Sequence, residues 1–149
     1  MSRRSRAREV ALQLLCQRDV NRAVPRPRVE EFLRDWLHDA PLEPFCVSLY
    51  DGVVNHLDEI DAHLSKAAEN WRLPRMAAVD RNVLRLGTYE LLFSTETPPK
   101  AVLDEAIELA RRFGGKDSPT FVNGVLDNIY RSRLAETPST SDHWGDGID

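Results

Sequence analysis

Apolar residues recur along most of this chain at intervals of three and four, the spacing of one face of an α-helix. Residues 76–93 show it most strongly: Met76, Val79, Val83, Leu86 and Tyr89 form a stripe, and Ala77, Leu84, Leu91 and Leu92 fill much of the remaining circumference. A helix apolar on most faces belongs inside a bundle, so this segment is expected at the centre. Near the N-terminus Ala7, Val10, Ala11, Leu14 and Leu15 mark one helix; Val29, Phe32, Leu33, Trp36 and Leu37 mark a second, which stops before Pro41 and places Trp36 in the core. Pro44 suits the first turn of a long third helix running through Cys46, Leu49, Val53, Leu57, Ile60 and Leu64. Beyond the central segment, Pro98 and Pro99 open a helix with Ala101, Val102, Ala106, Leu109, Ala110 and Phe113 facing inward, closed by Gly114 and Gly115. Asp117 or Ser118 caps the last helix, with Pro119 in its first turn and Phe121, Val122, Val125, Leu126 and Ile129 as its stripe. Gly124 costs stability inside a helix and is expected where a neighbouring helix comes close.

This pattern specifies an all-α fold, a compact bundle of about six to seven helices. Pro74 disfavours helical geometry at Leu73, so residues 69–74 form a connector. It divides a single domain, 1–134, into helical subdomains of about 1–70 and 71–134. Residues 135–149 are rich in Ser, Thr, Pro, Gly and Asp, lack periodicity, and are expected to be disordered.

Composition narrows the function. With 149 residues, 42% of them hydrophobic and 30% charged, the chain can bury a core without staples. No apolar run approaches the ~20 residues of a membrane span, and no apolar segment of a secretory signal follows the N-terminal arginines, so the chain reads as cytoplasmic. Cys16 and Cys46 lie within helical patterns without metal-ligand spacing and read as reduced thiols. His56 and His63, two turns apart, are too distant to share a metal and read as solvated. No phosphate-binding loop, cofactor fingerprint, paired catalytic carboxylates or activated nucleophile is apparent. A non-enzymatic binding module without metal or cofactor is what remains.

Charge placement is more informative than the net charge of −4. Arg3, Arg4, Arg6 and Arg8 form a basic arm that runs directly into the first helix, whereas the tail after Leu134 is purely acidic. Such an arm, flexible at its tip and fixed by the helix behind it, suits phosphate contact with nucleic acid. On the central helix Arg81 and Arg85, like charges four residues apart, need acidic neighbours. Asp104, Glu105 and Glu108 on the following helix are the expected ones.

Four blocks in order, AREVALQLL over 7–15, VDRNVLRLGTYELL over 79–92, PKAVLDEAIELA over 99–110 and FGGKDSPTFVNGVLD over 113–127, resemble the NusB family of transcription antitermination factors. The resemblance implies a small helical protein that pairs with NusE, a small-subunit ribosomal protein, and binds single-stranded boxA RNA in nascent leaders, helping RNA polymerase resist termination on ribosomal RNA operons. The family's basic arm falls on Arg3, Arg4, Arg6 and Arg8, and its RNA-proximal positions at the last helix on Asp117 and Phe121. A helix N-terminus offers N–H groups to phosphate, and a Phe can stack on an unpaired base. The NusE-facing position falls on Asp80, where Glu is more familiar, and Cys16 stands where many members carry Tyr. Two other readings are open: a helical scaffold or homodimer, and the NusB-like domain that accompanies ribosomal RNA cytosine methyltransferases, whose catalytic domain this chain would still need.

Overall fold

A computed structural model of the chain describes residues 3–69, 71–94 and 96–136. They form α1 (Arg3–Val20), α2 (Arg26–Leu37), α3 (Glu43–Asn55), α4 (Leu57–Ala67), α5 (Ala78–Leu92), α6 (Pro99–Phe113) and α7 (Ser118–Glu136), with 3₁₀ turns at Ala40–Leu42 and Leu73–Arg75. The architecture is the expected all-α bundle. Of the segment read as a tail, residues 135 and 136 continue α7, and 137–149 lie outside the described residues.

Helix α5 is the common wall, packing against α1, α3, α4, α6 and α7. Val83, Leu84, Leu86 and Leu91 are buried on it, and so are the polar Asn82, Thr88 and Glu90. Gly87 lets α7 approach closely: a methyl group there would stand 2.6 Å from Leu126 Cδ1, a side chain that is itself fully buried. Gly87→Ala is therefore expected to lower unfolding free energy by about 1–3 kcal/mol, the usual cost of overpacking a tight core, as read by urea denaturation. Gly124, expected at a close helix contact, has open space around its Cα, and the tight approach falls at Gly87 instead.

Two further expectations change. The long third helix is two helices, α3 and α4, broken at His56. The His56 ring is half-buried rather than solvated: Nδ1 lies 2.9 Å from the Gly52 carbonyl, and because a carbonyl accepts, Nδ1 carries the proton. Its ring packs at 4.3 Å from Phe93, centroid to centroid. On α2, Val29, Leu33 and Leu37 are buried, but Trp36 sits at the edge of the stripe, 51% exposed and stacked on Phe32.

Arg81 and Arg85 do meet acids, though not those of α6. Arg81 donates to Asp19 of α1 at 3.0 and 3.1 Å, and Arg85 to Asp19 at 3.0 Å and to Asp61 of α4 at 2.9 and 3.0 Å. Asn82 adds a bond to Asp19 at 2.9 Å. Burial works against ionisation of Asp19, but the bonds from Asn82 and Arg81 and the charge of Arg85 outweigh it and hold its carboxyl below the usual carboxylate range. The network ties α1, α4 and α5 in one register, the role for which half-buried ion pairs are best suited. Asp104, Glu105 and Glu108 serve α6 and its neighbours: they pair with Lys100, Ser5 and Arg111 respectively.

Candidate nucleic-acid interface

Helix α1 lies antiparallel to α5, since Arg8 bonds to Glu90 near one end of α5 and Cys16 to the Ala78 carbonyl at the other. This sets the arm and the remaining candidate residues at opposite ends of α5, roughly 20 Å apart at 1.5 Å per residue.

At the arm, the helix begins at Arg3, so the described arginines form the first turns of α1 rather than a flexible tip. Arg3 makes a two-pronged pair with Asp39 at 2.7 and 2.8 Å, and Asp39 is held below the usual carboxylate range by that bond. Arg4 lies over the Phe45 ring and 3.6 Å from Glu96. Arg6 bonds to Glu9 at 2.7 Å and donates to the Trp36 carbonyl at 2.6 Å. Arg8 departs from the expected phosphate-contacting role. Only 4% exposed, it bonds to both oxygens of buried Glu90 at 2.7 and 2.8 Å and to Thr97 at 3.1 Å. Burial alone would favour loss of its proton, yet the Glu90 bonds and charge raise its pKa above the ordinary arginine value. Arg8 is a core ion, and the surface arm consists of Arg3, Arg4 and Arg6.

At the other end, one groove of about 380 Å³ gathers Asp80, Asp117 and Phe121 with Trp71, Arg75 and Lys116. Three segments build it. The 3₁₀ turn at Leu73–Arg75 delivers Trp71 and Arg75 and is anchored by Arg81, which donates to the Leu73 and Met76 carbonyls at 3.0 Å each. Asp80 enters from the first turn of α5, where a carboxylate suits the helix dipole. The α6–α7 turn brings Lys116 and Asp117, and its tightness needs Gly114, where a methyl group would stand 2.6 Å from Ser118 Oγ. That hydroxyl accepts the Gly115 N–H at 2.9 Å and fixes the start of α7.

The walls of the groove are aromatic. Trp71, 59% exposed, meets Phe121 edge to face with centroids 5.5 Å apart. Among the described residues no acid lies within ion-pair distance of Arg75 or Lys116. Asp80 Oδ1 is buried without a hydrogen-bond partner. Cys16 sits against the same end of α5: its thiol donates to the Ala78 carbonyl at 3.8 Å, and Asn82 donates to its sulfur at 3.7 Å. Burial pushes the Cys16 thiol up, so it stays protonated and unreactive near neutrality.

Arm and groove are linked along α6. Arg6 and Arg112 flank the same carboxylate, Glu9, at 2.7 and 3.1 Å, and the end of α6 that carries Arg112 leads directly into Lys116. Trp71, Arg75 and Lys116 on the groove lining, and Arg112 between groove and arm, are candidates that sequence reasoning missed. The signal for the first three was a Trp and two cations in short connectors.

The NusB family model matches residues 5–131. The transcription antitermination protein NusB of Elusimicrobium minutum (strain Pei191) is 44% identical over 136 residues, covering 89% of this chain and 96% of that protein. Among solved structures, NusB of T. maritima matches with a TM-score of 0.78 and 38% identity over 88% of this chain and 92% of its own. A chain from a complex of the antitermination factors NusB and NusE with double-stranded RNA matches with a TM-score of 0.79 and 29% identity, over 89% of this chain and 98% of that one. Among the described residues, no helix is long and apolar enough to cross a membrane.

Proposed function

The chain belongs to the NusB family, and from that membership we propose that it is a non-catalytic antitermination factor that binds boxA-type leader RNA together with a NusE-type ribosomal protein. The observation that carries this reading is its likeness, over nearly the full length of both chains, to a chain of a complex of NusB and NusE with double-stranded RNA. The surface chemistry supports it. Arg3, Arg4 and Arg6 offer planar cations to phosphates, and the groove with Asp117 and Phe121 offers a helix start and an aromatic face for unpaired nucleotides. From the family resemblance, the partner protein is assigned to the start of α5, where Cys16 packs on one side and Asp80 lines the groove on the other. RNA and protein then share one continuous surface, and each raises the effective concentration of the other's site. RNA polymerase is engaged through that assembly.

The test is a titration of fluorescently labelled boxA-type RNA with this protein alone and with the NusE-type protein added. Binding is expected to be weak alone and at least tenfold tighter with the partner, a coupling in the ordinary range for linked sites. Equal affinity in the two titrations removes the partner from the proposal, and no binding in either removes the RNA.

A further inference from the structure

Helix α2 ends beside the arm, and its last turn carries a ring that the core does not use. Trp36 continues the spacing of buried Val29 and Leu33, yet it is 51% exposed. One face of the indole is backed by Phe32, a turn earlier, with ring centroids 5.8 Å apart and planes 29° from parallel. Half exposure leaves the opposite face to solvent, and an apolar face in water forgoes the burial free energy that Val29, Leu33 and Leu37 gain.

The arm stands directly against this turn. Arg6 donates from Nη2 to the Trp36 carbonyl at 2.6 Å and from Nη1 to Glu9 at 2.7 Å. That carbonyl is one of the four that the end of a helix leaves without a partner, and a cation there suits the helix dipole. A guanidinium has five N–H donors. Among the described residues these two bonds fix Arg6 in place and leave three donors for a ligand, on a side chain that is 36% exposed. Past Trp36, His38 turns the chain in the left-handed region at φ 54°, and Asp39 meets Arg3 in its two-pronged pair. Asp39 is thereby neutralised, while Asp35, adjacent in sequence, stands about 100° round the helix from Trp36.

A ring backed on one face and open on the other, with a fixed cation anchored at the same residue, supplies a platform for a base and a partner for its phosphate. We infer that the single strand bound along the arm continues past Arg6 onto α2, where one unpaired base stacks on the open face of Trp36 and its phosphate meets the free donors of Arg6. Stacking uses the π-face that every base has, so the contact tolerates any sequence. The RNA track then has aromatic rings at both ends, Trp71 and Phe121 in the groove and Trp36 beyond the arm, with Arg112 and Arg6 between them. The inference rests on the RNA-binding reading above and extends the bound strand onto a helix to which the family resemblance gives no role.

The experiment uses the full chain with the NusE-type protein and nested boxA-type RNAs lengthened by one uridine at a time at either end. The parent protein is expected to show a step of about tenfold in affinity at the length at which a base reaches Trp36, the scale of one base stacked on an aromatic side chain. Trp36→Leu keeps an apolar cover on Phe32 without a ring and abolishes the step; Trp36→Phe, with a smaller ring, keeps part of it. 2-Aminopurine, a fluorescent base that stacking quenches, reads the contact directly when placed at each position in turn. One position is expected to dim on binding to the parent and to stay bright with Trp36→Leu.

Identical length profiles for the parent and Trp36→Leu, or quenching that does not depend on Trp36, overturn the stacking site while the RNA-binding reading stands. Weaker binding of the NusE-type protein to Trp36→Leu in the absence of RNA also overturns it and gives this face to the protein partner. Failure of every RNA to bind overturns both readings.

Discussion

Replacing Glu90 with Ala is expected to cost about 3–5 kcal/mol of stability, the range found when one member of a buried ion pair is removed. Against a typical total of roughly 5–15 kcal/mol this is a large loss. Arg8 and Glu90 are both almost fully buried and face each other through two parallel bonds, from Nε and Nη2 to the two carboxylate oxygens. Without Glu90 the guanidinium keeps its charge, because arginine does not lose its proton at neutral pH. It retains Thr97 at 3.1 Å and Glu105 at 4.0 Å, the latter more exposed and too long for a hydrogen bond. Urea denaturation followed by circular dichroism measures the change. The double replacement Arg8→Met with Glu90→Leu is expected to recover most of it, since exchanging both ions for apolar groups of similar volume is often neutral or stabilising. A single-variant loss below about 1 kcal/mol would mean that the pair is open to water, as exposed pairs are.

The same pair shows where the sequence was legible and where it was not. The basic arm read as a uniform run of charge, yet Arg8 shares a helical phase with the buried Ala11, Leu12 and Leu15, three, four and seven positions on. Periodicity alone does not separate it from Arg3, in phase with the buried Ala7 and Val10, or from Arg4, in phase with Ala7 and Ala11; those two are exposed because they stand in the first turn of α1, which only the fold shows. Other features had no such signal. Leu57, Ile60 and Leu64 continue the spacing of Leu49 and Val53, so the break at His56 is invisible to periodicity and shows only in the ring's contacts with Gly52 and Phe93. Arg81 and Arg85 announced a need for acids, but helical spacing says nothing about which neighbouring helix supplies them. Asp19 and Asp61 do so because α1 and α4 both cross α5 on that face. The groove was half legible. Asp80, Asp117 and Phe121 came from a resemblance that treated them as separate partner and RNA positions, and tertiary packing joins them with Trp71, Arg75 and Lys116 from short connectors. Residues that become neighbours only across three segments leave no pattern in any one of them.

Replacing Arg3, Arg4 and Arg6 together with Ala is expected to weaken RNA binding by about two orders of magnitude at 0.1 M salt. Each phosphate neutralised on a single strand contributes roughly 0.7 to the slope of log affinity against log salt concentration. Loss of three contacts should therefore flatten that slope by about 2, and at 0.1 M salt the same counterion release amounts to roughly a hundredfold in affinity. The fold should tolerate the change. Ala is the best helix former, and the buried face of α1 from Ala7 to Leu15 is untouched. The arginines are already engaged, Arg3 with Asp39, Arg4 with Glu96 and Arg6 with Glu9, so phosphates must displace these carboxylates. For Arg3 and Arg4 the pairs are exposed, and such pairs hold their partners weakly. This gives the arm a second, opposite test: Asp39→Asn removes the competing charge from Arg3 and is expected to tighten RNA binding, with the gain shrinking as salt rises. Titrations of labelled RNA across a salt series, for both variants in the presence of the NusE-type protein, measure both effects. If the triple variant keeps the parent's salt slope, the arm does not touch the RNA backbone, and the electrostatic contact must be sought along Arg112, Lys116 and Arg75 instead.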